Sequence, residues 1–141
     1  MNKLIISLGL IGLLSQSLMA QEDLKGIWWA EEGKVKVEIY QKTDETLAGK
    51  IVWLAKTTDK KGNLLTDKNN PDKALRSQPM MGLEMLENIR WEDGEWKATV
   101  YSPKRGRRVN ATLKLSDSDE LQVKVSMMGM SRTRTWARAS E

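Results

Sequence analysis

From residue 34 onward the apolar side chains recur at every second position, and that period constrains the fold more than any other feature. "VKVEIY" sets Val35, Val37 and Ile39 against Lys36, Glu38 and Tyr40. "WKATVY" sets Trp96, Ala98 and Val100 against Lys97, Thr99 and Tyr101. "VNATLKL" sets Val109, Ala111, Leu113 and Leu115 against Asn110, Thr112 and Lys114, and "LQVKV" continues with Leu121, Val123 and Val125. A helix needs a period near 3.6. A period of two gives each segment one dry and one wet face, as in antiparallel sheets.

Turn-forming clusters separate these runs at residues 31–33, 42–46, 92–94, 102–106 and 116–120. Eight strands are predicted, at about 25–31, 34–42, 46–55, 83–92, 95–102, 107–116, 120–128 and 131–139. The expected fold is all-β: a small antiparallel eight-stranded up-and-down barrel, with a sandwich as the other architecture of this signature. A barrel leaves no exposed sheet edge to protect.

Residues 1–20 stand outside the pattern. Lys3 precedes an eleven-residue apolar run, residues 4–14, and small and polar residues follow to Ala20. This is the layout of a secretory signal peptide cleaved before Gln21, and the run is too short to span a bilayer. The predicted mature chain, residues 21–141, is a single β-barrel domain, periplasmic or secreted. Without Lys3, the 23 cationic side chains become 22 against 19 anionic ones, a net of +3. That excess is mild, and no nucleic-acid partner is expected.

The chain has neither cysteine nor histidine. An exported barrel of this size must then be held by its core alone, without a disulfide. Ser/His/Asp and Cys/His nucleophilic devices are excluded, as are zinc, haem and copper sites built on those ligands. No metal, cofactor or catalytic residue is predicted. A calcium loop starting at Asp67 fails, because Pro71, Asp72 and Gln78 stand where a ligand, glycine and glutamate are needed.

One segment breaks the rhythm. Residues 56–79 are long, polar and aperiodic, which in a domain this small marks a functional or mobile loop. The loop is either a lid over one barrel end or a solvated crossing, with a helical turn near residues 72–75. Within it, Asp67, Asn70 and Asp72 are expected to hold its shape by side-chain to backbone hydrogen bonds, alongside Arg76. Asp59, Asp67 and Asp72 also carry a third-ranked reading, a carboxylate-based enzyme.

The folded part opens on "GIWW" at residues 26–29 and closes on "TRTWAR" at residues 133–138. A Gly-x-Trp on the first strand with an arginine ending the last resembles the calycin barrels: lipocalins, fatty-acid-binding proteins and the avidin group. The resemblance implies that Arg138 packs over Trp28 and closes one barrel end. Arg134, Trp136 and Arg138 share one face of the last strand by alternation.

A further resemblance covers nearly all of the mature chain. "GIW" from Gly26, "LAGKIVWL" from Leu47, "DKNNPD" from Asp67, "LRSQPMMGLEML" from Leu75, "YSPKRGRRV" from Tyr101 and "LQVKVSMMGMSRTRTWAR" from Leu121 are similar to an exported bacterial family, number 2147 of the domains of unknown function. Ser102 stands where that family usually has Asp, and Asn110 stands near its Tyr. The resemblance implies an exported calycin-like barrel and supplies no reaction.

The expected role is non-catalytic binding of a small lipophilic or amphiphilic ligand in the cell envelope. Trp53, Trp91, Trp96, Trp136, Met81 and Met128 are its candidate contacts, and with no Phe in the chain the tryptophans either line a cavity or carry the core. The second reading is an envelope interaction module with a filled barrel. In "SPKRGRRV", Pro103 and Gly106 suit a tight turn, while Lys104, Arg105, Arg107 and Arg108 offer contact with an anionic envelope surface.

Overall fold

The computed structural model describes residues 24–140; the signal peptide expected at residues 1–20 lies outside the described residues. Eight strands follow in chain order: β1 Gly26–Ala30, β2 Val35–Gln41, β3 Leu47–Leu54, β4 Glu84–Glu92, β5 Glu95–Ser102, β6 Arg107–Asp117, β7 Glu120–Met127 and β8 Met130–Arg138. Each pairs antiparallel with its neighbours, and β8 returns to β1, so the sheet is a closed up-and-down barrel. Every boundary lies within two residues of the periodicity reading.

The alternation places the core. Val37, Ile39, Ile51, Leu86, Ile89, Leu121 and Trp136 form one cluster with Trp28, and Trp96, Val100 and Val125 pack partly against it. These side chains belong to one buried cluster, which is the packed core of the barrel. Eight strands enclose little more than side-chain volume.

One barrel end is sealed by a single polar clasp. The Trp28 indole is fully buried, and its Nε1–H donates to the Leu24 carbonyl at 2.9 Å. The Arg138 guanidinium lies 4.2 Å from the Trp28 ring centroid. Arg138 Nε donates to the Ser118 carbonyl at 2.8 Å and its Nη1 to the Lys25 carbonyl at 3.0 Å. One side chain thereby joins the segment before β1, the end of β8 and the β6–β7 turn. A planar fork of donors suits this better than an ammonium. Gly26, at φ +132°, makes room: a Cβ there would sit 2.6 Å from Arg138 Nη1.

The other end is uneven. β1 pairs with β8 through Trp28–Arg138 and Trp29–Ala137. Continuing that register sets Ala30 beside Trp136, so residues 130–135 of β8 run past the end of β1. At strand rise these six residues span about 20 Å along β8.

Replacing Arg138 by Gln is expected to lower the unfolding free energy by about 2–3 kcal/mol, because two carbonyls and an indole face lose a charged partner. Arg138→Lys should restore less than half of that. Urea titration followed by tryptophan fluorescence checks both; equal stability of all three proteins contradicts the clasp.

Candidate functional site

The long loop is fastened at the uneven end, and Asp67 is the fastener. Its side chain is fully buried. The Tyr101 hydroxyl, at 2.8 and 2.9 Å from its two carboxyl oxygens, donates to it, and Asn70 Nδ2 donates to Oδ2 at 2.8 Å. Gln78 Nε2 adds a longer contact of 3.4 Å. Burying a carboxyl group is tolerable only with such partners. Asn70 is itself buried and spends its Oδ1 on the Asp72 N–H, while its carbonyl accepts from Arg76 Nε at 2.7 Å. Asp72 Oδ1 then accepts from the Ala74 N–H and caps the short 3₁₀ turn Lys73–Leu75.

Tyr101 pairs with Arg108 across β5 and β6, on the face opposite to the inward Val100 and Val109. The loop is therefore strapped to the outside of the barrel wall. It reaches the β5–β6 turn as well: Asn69 Nδ2 donates to the Lys104 carbonyl at 3.0 Å. At Gly106, φ +62°, any Cβ would run into the Asn69 carbonyl. Glycine is required there by both the left-handed backbone and the loop pressed against it.

Arg108 belongs to this strap too, a correction to its expected place in a free basic patch. Its guanidinium lies 4.7 Å from the Tyr101 ring centroid, and its Nε is 3.1 Å from both Glu87 carboxyl oxygens. Lys104, Arg105 and Arg107 are exposed. A polar cleft of about 330 Å³ lies alongside, bordered by Gln78, Glu84, Glu87 and Arg108.

The mouth proper is lined by the inner face of the projecting strands. Arg134 pairs with the core residue Val123, and Arg132 with the half-buried Val125. By register both arginines share the inward face, yet both are exposed, on the part of β8 that outruns its neighbour β1. Val100, Val109 and Val125 form a half-buried apolar floor beside them. Neither arginine has a carboxylate partner among the described residues.

The six candidate ligand contacts are not brought together. Trp136 is buried in the core, cross-strand from Leu121. Trp91 and Trp96 pack edge to face at 5.3 Å and border an open groove of about 670 Å³ with Lys114, Gln122 and Lys124, near the sealed end. Trp53 lies outside, against Trp29 at 5.5 Å, with Lys36 Nζ 5.7 Å from its ring. A register shift between Lys36 and Val37 pairs Trp53 with Lys36 although Ile51, two residues earlier, pairs with Val37; the bulge turns Trp53 off the core face. Met81 is 41% exposed on the loop, and Met128 is 94% exposed at the β7–β8 turn.

The loop carboxylates are occupied by structure. Asp59 accepts from the Lys61 and Asn63 N–H groups at 2.8 and 2.9 Å, and the backbone bond from Asn63 chiefly holds it below the usual carboxylate range. With Asp67 and Asp72 committed as above, the three make no acid–base pair. Sequence reasoning missed Tyr101, which alternation marks only as wet-faced, and the mouth position of Arg132.

The family described as "Uncharacterized protein conserved in bacteria (DUF2147)" matches residues 26–138. No curated protein matches. Among solved structures, one titled as protein HP1028 from the human pathogen Helicobacter pylori, belonging to the lipocalin family, is similar with a TM-score of 0.68. Sequence identity is 22%, over 84% of this chain and 84% of that one. At that identity the likeness establishes the lipocalin-like fold. Among the described residues no helix is long and apolar enough to cross a membrane.

Burial, and then the bond to Asp67, push the Tyr101 hydroxyl from its ordinary 10 up to about 12. The folded state holds a proton that the unfolded state releases first. The resulting stabilisation is complete below pH 10 and is lost as the pH rises towards 12, a fall of roughly 2–3 kcal/mol. Tyr101→Phe should be less stable at pH 8 and should lack this share of the alkaline slope. Urea unfolding at stepped pH checks it; parallel slopes for the two proteins contradict the assignment.

Proposed function

We propose that this chain, which belongs to the bacterial family DUF2147, is an exported, non-catalytic binding protein that takes a small anionic amphiphile in the mouth of its lipocalin-like barrel. The observation that carries the reading is the pair Arg132 and Arg134, inward by register, exposed, and set beside the half-buried Val100, Val109 and Val125. Guanidinium groups bind carboxylate, sulfonate or phosphate through paired charge-assisted bonds. The valines offer apolar surface to the other end of the same molecule. The packed core supports shallow binding over a deep cavity, so the ligand is held at the rim.

The packed core also favours a second reading, an envelope interaction module that works from its outer surface. The exposed Lys104, Arg105 and Arg107 at the β5–β6 tip then meet an anionic surface of the envelope. Export itself rests on the layout of residues 1–20.

Anilinonaphthalene sulfonate, an anionic amphiphile, is expected to bind with enhanced fluorescence. The double variant Arg132→Gln, Arg134→Gln should weaken it tenfold or more, at about 1.5 kcal/mol for each charged bond lost. An unchanged titration overturns the mouth reading. Intact-mass analysis of the protein from fractionated cells should find a chain beginning at Gln21 outside the cytoplasm. A full-length cytoplasmic chain overturns export.

A further inference from the structure

Sequence and topology segregate charge along this barrel. Residues 101–115 and 121–138 contain nine Lys or Arg and no Asp or Glu. They make up the end of β5, most of β6 and β7, all of β8, and the two hairpin tips that project at the open end. The acids of this half sit in the β6–β7 turn at the sealed end: Asp117, Asp119 and Glu120. Glu31 and Glu32 lie in the β1–β2 turn, outside these stretches and away from the two tips at residues 102–106 and 127–130.

The tip of the β7–β8 hairpin is apolar. Met128 and Gly129, at φ +52° and +76°, form a tight two-residue turn. Met128 is 94% exposed, Met130 76% and Met127 37%. Thioether side chains this open gain from leaving water, and they are flexible enough to enter a disordered medium. Lys104, Arg105 and Arg107 stand on the neighbouring tip, joined through the β6–β7 ladder.

We infer that the projecting hairpin tips are a docking surface for an anionic phospholipid bilayer, with Met127, Met128 and Met130 entering the headgroup layer and Lys104, Arg105 and Arg107 lying on it. The inference deepens the reading of the basic tip as a contact for an anionic envelope surface and rests on it. An acidic polysaccharide would satisfy the cations and leave the methionines in water, whereas a bilayer satisfies both. Each Lys or Arg near such a surface raises partitioning about fivefold, and three together raise it about a hundredfold. Docked this way, the mouth opens toward the layer in which amphiphiles reside.

The chain has no cysteine, so Met128→Cys in the mature protein takes an environment-sensitive nitrobenzoxadiazole label at one place. With vesicles of phosphatidylglycerol in phosphatidylcholine, the label should brighten and shift to the blue, and the protein should sediment with the vesicles. Pure phosphatidylcholine vesicles should do neither. Adding Lys104→Gln, Arg105→Gln and Arg107→Gln should cut partitioning about a hundredfold while leaving anilinonaphthalene sulfonate binding intact. Sedimentation with an unshifted label overturns insertion and leaves the basic-surface reading standing. Absence of sedimentation overturns both, and equal binding to neutral vesicles overturns the charge requirement.

Discussion

The seam between β1 and β8 is the weakest ladder of the barrel, and the Arg138 guanidinium over the Trp28 ring is what secures it. The seam has two register pairs, Trp28–Arg138 and Trp29–Ala137, where β7 and β8 share eight. Two pairs alone would leave the first and last strands open to fraying and to pairing with other chains. Arg138 adds its bonds to the Lys25 and Ser118 carbonyls, bridging three segments far apart in sequence. In a chain without cysteine, closure depends on this non-covalent arrangement and on the core beneath it.

The two ends of the barrel then differ in kind. At the sealed end one arginine binds backbone carbonyls. At the open end a buried carboxyl group, Asp67, gathers the Tyr101 hydroxyl and the Asn70 amide, so a 29-residue connection between β3 and β4 is held against one wall. The strap runs along the outside of β5 and β6, and its last residues turn to β3, where Leu83 joins the core and Met80 packs against it. The loop that sequence marked as either lid or crossing acts as a buttress for the hairpin that carries Lys104 and Arg105.

What sequence revealed follows from what a period of two encodes. It determines which faces are dry, and turn residues delimit the segments, so the eight strands and the barrel followed from the pattern, while a filled core and a cavity stayed equally open. The Trp28–Arg138 pairing came from the resemblance of the end motifs to those of the calycin barrels. A strand pattern is silent about bulges. The extra residue near Val52 turned Trp53 away from the core, so a cavity list drawn from aromatic content included a residue on the outer wall. Nor does a pattern say where the opposite wall ends. Arg132 and Arg134 sit on the core face by alternation and in water by topology, and only the short β1 explains how both hold. The Asp67–Tyr101 bond, between residues 34 apart in sequence, has no local signature at all.

Filling the core and leaving the rim ragged are two results of one economy. Eight strands close around little more than their own side chains, and in a chain without phenylalanine Trp28, Trp96 and Trp136 supply much of the bulk. Trp28 and Trp136 take up interior volume as buried members of the core. Chemical variety is displaced to positions where strands outrun their neighbours. There a side chain on the core face need not be apolar, since water reaches it, and arginine becomes admissible at positions 132 and 134, cross-strand from Val125 and Val123. The same stretch carries no Asp or Glu, so at the open end charge varies with one sign only.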